Sequence, residues 1–143
     1  MPRLFFETTA GEPPPPGFGG DTAVLVYFVS FAFATRYGSQ HPFSRFALIM
    51  RSLHKVNMTP LTTFADRNIE DEADARELER VWQDAAPLAE TLRRVIEALE
   101  RGEGESAAIT PEWPDLVPRL RDLKRMTDWA AGRGARVRLS FEL

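Results

Sequence analysis

A chain of 143 residues with 43% hydrophobic and 27% charged side chains is long enough for one domain with its own core. It contains no cysteine, which excludes disulfides, thiolate metal sites and cysteine nucleophiles, and suits a reducing compartment. A formal net charge of −3 and scattered basic residues argue against nucleic-acid binding, which calls for a basic face.

The opening residues Met1-Pro2-Arg3 lead into only three apolar residues before Glu7, which is too short for a secretory h-region. A cytoplasmic protein is expected. Of the 18 basic residues only Lys55 and Lys124 are lysine, an arginine bias that suits a GC-rich bacterial genome.

In chain order, residues 3–8 (Arg-Leu-Phe-Phe-Glu-Thr) are short and aromatic, bounded by Pro2 and Gly11, and predict a strand. Residues 11–20 form a Pro/Gly-rich loop whose four prolines favour polyproline II, read as a stiff connector. Residues 22–37 are apolar almost throughout. Their β-branched and aromatic content favours one or two strands, whereas their length favours a helix. Asp21 is placed to cap the first amides and Gly38 to take the left-handed position after the last turn, so the helix is preferred. Such a helix belongs in the core or at an interface. It is too short for a membrane span and lacks the charged face of an interfacial helix.

Residues 43–55 repeat the helical pattern, with Pro42 in the first turn and Asn57 near the end. Residues 58–66 suggest a short extended piece, which Pro60 restricts to an edge. Over 71–101, Leu78, Trp82, Ala85, Leu92, Ile96 and Leu99 recur at helical spacing. Pro87 interrupts them and predicts a kink near Gln83–Pro87, or two helices with Asp84 capping the second. Residues 103–110 read as an inter-helix loop. A further helical region begins at Thr110-Pro111 or restarts at Asp115, with Leu116, Leu120, Leu123, Thr127 and Ala130 facing inward. Over 136–143, Val137, Leu139, Phe141 and Leu143 alternate with Arg136, Arg138, Ser140 and Glu142. That period of two predicts a strand with one face buried and one in water. Its natural partner is residues 4–8, and a two-stranded sheet would leave an edge open to another copy of the chain.

The expected fold is therefore α+β: one domain over 1–143, mainly helical with about four to five helices, and a small sheet that includes the N-terminal and C-terminal strands. Few residues suggest chemistry. The acidic run from Asp66 to Glu77 resembles a calcium loop in its oxygen spacing. It has Asp71 where that loop requires glycine, and it reads better as acids gathered at a helix N-terminus. Two histidines without a third ligand at metal spacing do not make a zinc site. No nucleophile motif or phosphate loop is present, and no cofactor is implied. Arg119, Arg121, Lys124 and Arg125 read as a solvated helix face. The remaining polar cluster is Arg36, Tyr37 and His41, with His54 further on. It follows the most apolar segment and reads first as a solvated inter-helix loop, with the mouth of a small-molecule pocket as the alternative. The preferred function is a non-catalytic interaction or assembly domain whose partner is itself or another protein. The alternatives are a ligand-binding protein or enzyme at Arg36–His41, and a peripheral membrane protein.

Overall fold

The computed structural model describes residues 2–34 and 41–143. Six helices and four strands lie within them: β1 (Arg3–Thr8), α1 (Ala23–Phe33), α2 (Pro42–Ser52), β2 (Phe64–Asp66), α3 (Glu72–Arg80), β3 (Gln83–Asp84), α4 (Ala85–Arg101), α5 (Glu105–Glu112), α6 (Leu116–Ala131) and β4 (Arg136–Glu142). The fold is α+β, and its sheet joins the two terminal strands.

β4 is the central strand. β1 runs antiparallel along one of its edges, with Leu4 opposite Phe141, Phe6 opposite Leu139 and Thr8 opposite Val137. The other edge is shared end to end. β3 pairs antiparallel with Arg136–Val137, and β2 pairs parallel with Leu139–Phe141. With both edges of β4 taken, the free edges of the sheet belong to β1, β2 and β3.

The alternation in β4 also has a different consequence from the expected one. Val137 and Leu139 are fully buried in the core, but the opposite face is covered as well: Ser140 is fully buried and the Arg138 side chain is only 12% exposed. The cover comes from α3 and the turn after it. Leu78 is buried there, and Trp82 stacks its ring 4.6 Å from the Arg138 guanidinium. Period-two patterning reports side-chain polarity. It does not reveal that a polar face will be roofed by another element.

α1 is a helix, begun by Asp21, whose Oδ1 accepts the Ala23 N–H at 2.9 Å. Leu25, Phe28, Val29 and Ala32 enter the core, where Phe28 meets Phe43 edge-to-face at 5.3 Å. The helix is not buried all round: Tyr27 is 46% and Phe33 53% exposed. Core burial of one face was enough to override the strand preference of its residues. At the other end, Ser44 Oγ and Arg51 donate to the carbonyls of Phe31 and Ala32 at 2.8 and 3.0 Å, so α2 satisfies acceptors that α1 cannot.

α2 ends at Ser52, earlier than its apolar pattern, because Lys55 adopts a positive φ of 55° and the chain turns back to bury Val56. The 71–101 stretch divides into α3 and α4, with β3 between them. Asp84 occupies the N-cap of α4 without a side-chain cap bond, contrary to the expected role. Pro87 is the third residue of α4, where a missing N–H breaks no helical hydrogen bond. The expected loop over 103–110 is also corrected, since α5 occupies 105–112. Its glycine-rich approach hides it in the sequence, but Ser106 and Ile109 bury between α4 and α2 and hold one short helix. α6 presents Leu116, Leu120, Leu123, Thr127 and Ala130 inward as its spacing predicts. No helix among the described residues is long and apolar enough to cross a membrane.

Candidate functional site

The Gly-rich end of the 11–20 loop is strapped to α6. Gly19 N–H donates to Asp122 Oδ2 and Arg125 donates to the Gly17 carbonyl, both at 2.9 Å. Arg119 pairs with Asp122 at 3.0 Å and lies so close to Gly20 that a Cβ there would meet its guanidinium. Part of the basic cluster thus docks a loop and is not a wholly solvated face.

This strap leaves a groove of about 460 Å³ between the loop and β1, floored by Leu4, Phe6, Phe18 and Met126. One wall is the free edge of β1. Leu4 N–H points away from β4 and donates to the buried Thr22 Oγ1 at 2.9 Å, whereas Thr9 N–H reaches back to the Arg136 carbonyl at 3.0 Å. Backbone groups alternate sides along an antiparallel strand, so Phe6 N–H and C=O point outward with Leu4. No partner for that Phe6 N–H occurs among the described residues. The groove therefore joins an apolar floor to an open strand edge, with Thr22 holding the Leu4 N–H at one end.

Of the four residues singled out in the sequence, the structure describes His41 and His54. Arg36 and Tyr37 lie outside the described residues. His41 and His54 flank opposite ends of α2, a helix roughly 16 Å long at 1.5 Å per residue. His54 is exposed beside a separate cleft of about 300 Å³, lined by Phe46, Met50, Leu53 and Arg101. His41 is the N-cap of α2: its Nδ1 accepts the Phe43 N–H at 3.1 Å. A neutral imidazole with Nδ1 accepting carries its proton on Nε2. The ring stacks on Phe31 at 3.8 Å and 7°, with Phe43 and Trp113 at 4.8 and 5.4 Å. Burial pushes its pKa below the ordinary value against the pull of Glu112, and Arg45 lowers it further.

The acidic run spends its carboxylates on the backbone. Asp66 accepts from Asn68 N–H, Asp71 from Asp74 N–H and Asp74 from Glu70 N–H, each at 2.9 Å. Among the described residues no three such side chains converge on a metal-sized site.

Sequence reasoning missed Phe6, Phe18, Thr22 and Met126 as a group. Phe18 inside a glycine run was the one available signal, since a large apolar residue in a loop needs something to pack on. Comparison with known proteins returned no matching family model, no similar curated protein and no similar solved structure.

Proposed function

We propose that this protein is a non-catalytic interaction or assembly domain that takes an extended segment of a protein partner along the free edge of β1. The observation that carries this reading is the outward Phe6 N–H and C=O beside the apolar floor of Phe6, Phe18 and Met126. An added strand gains main-chain hydrogen bonds from such an edge and specificity from a side chain seated in the groove. Thr22 limits the docking length, because its hydroxyl already occupies the Leu4 N–H.

Panning a random-peptide display library against the immobilised protein tests the reading. Selected peptides should lose about tenfold in affinity on Phe6→Pro, which deletes the outward N–H, and on Phe18→Glu, which charges the groove. Circular dichroism checks that both variants stay folded. Sedimentation over a wide concentration range asks whether the preferred segment is another copy of the chain. A strictly monomeric protein for which panning enriches no peptide sensitive to either substitution would overturn the proposal.

A further inference from the structure

The junction of α1, α2 and α5 is closed by a titratable ring. His41 reaches α2 through its Nδ1 acceptor, α1 through the face-to-face stack on Phe31, and the end of α5 through Trp113. Phe43, whose N–H the ring accepts, is fully buried and packs 4.5 Å from Trp113 and 5.3 Å from Phe28. The cap thus sits directly on a core residue shared by the two helices that follow the 11–20 loop.

From this geometry we infer that His41 is an acid-released latch: protonating its ring uncaps α2 and loosens the Phe31–His41–Trp113 packing. The imidazolium ring has two N–H donors and no acceptor, so no rotation of the ring restores the bond to Phe43 N–H. The charge would also lie at the positive end of the α2 dipole. The charged groups facing the ring among the described residues are Arg45 of α2 and Glu112 of α5. Arg45 opposes protonation and is itself paired with Glu105 at 3.0 Å. Glu112 favours protonation, but its pull is smaller than the cost of burial. α1 meets the ring through the Phe31 face.

The sign of the effect follows from linkage. A histidine whose pKa is lower folded than unfolded stabilises the fold fully above its unfolded value of about 6.5. That contribution is lost as pH falls from there through the folded pKa, and is constant below it.

The test uses the full chain carrying His54→Gln, so that His41 is the one remaining imidazole. Ring ¹⁵N shifts should report an Nε2–H tautomer at pH 7.5 and a midpoint below that of a free histidine. Opening at the Phe43 amide, measured by hydrogen exchange corrected for intrinsic rates, should rise about fivefold between pH 7.5 and 5, the worth of one N-cap. His41→Asn, which caps without titrating, should abolish that rise. A midpoint at or above the ordinary histidine value, or an unchanged pH response in His41→Asn, would sink the inference.

Discussion

At Arg138 a single guanidinium meets three segments. It forks onto Glu7 of β1 at 3.2 and 3.0 Å, reaches Glu79 of α3 at 3.5 Å and lies over the Trp82 ring. The planar fork and the stacking face are properties that lysine lacks. Arg138→Ala should destabilise the protein by about 1–3 kcal/mol, the upper end being reduced because Glu7 retains partial access to water. Arg138→Lys should recover less than half of that loss. Urea denaturation of the two variants beside the wild type measures both. Position 138 reads in the sequence as an exposed charge on a strand, and nothing in the local pattern announces the partners. They lie 131 residues away at Glu7 and 59 away at Glu79.

Helices were legible where a stripe of apolar residues was long enough to set a period, as in α4 and α6, and capping residues marked several ends. Asp21 and Pro42 act as their chemistry suggests. The weaker elements were not legible. α5 is a short helix entered through Gly102 and Gly104, both at positive φ, and it depends on burying Ile109. β3 is a two-residue strand that forms only because β4 presents an edge to it. Pro87 shows how position decides an effect that residue type alone does not. In a helix interior proline costs about 3 kcal/mol, but in the first turn of α4 it removes no helical hydrogen bond. Pro87→Ala should therefore change the thermal midpoint by no more than the equivalent of about 0.5 kcal/mol. A large stabilisation on thermal melting would mean that α3 and α4 form one strained helix.

For the whole molecule, β4 is the organising strand because β1, β2 and β3 all pair with it. Removing Val137–Leu143 leaves three strands without a common partner and strips Val137 and Leu139 from the core. Such a truncated chain should lose its cooperative unfolding transition by circular dichroism, since strands need partners to satisfy their backbone groups. A truncated protein that still melts sharply would show that the helices alone form the core.

From the order of its residues alone, this chain determined an α+β fold, a strand at each end, and the inward stripes of its long helices. Those features are local, because period and capping act within a few residues. The tertiary structure alone decided that β4 is central and roofed on its outer face, that α1 exposes Tyr27 and Phe33, and that an apolar groove lies along β1. Each of these depends on which distant segments meet. Burial and hydrogen-bond partnership across more than a hundred residues, as between Glu7 and Arg138, leave no periodic mark in the sequence.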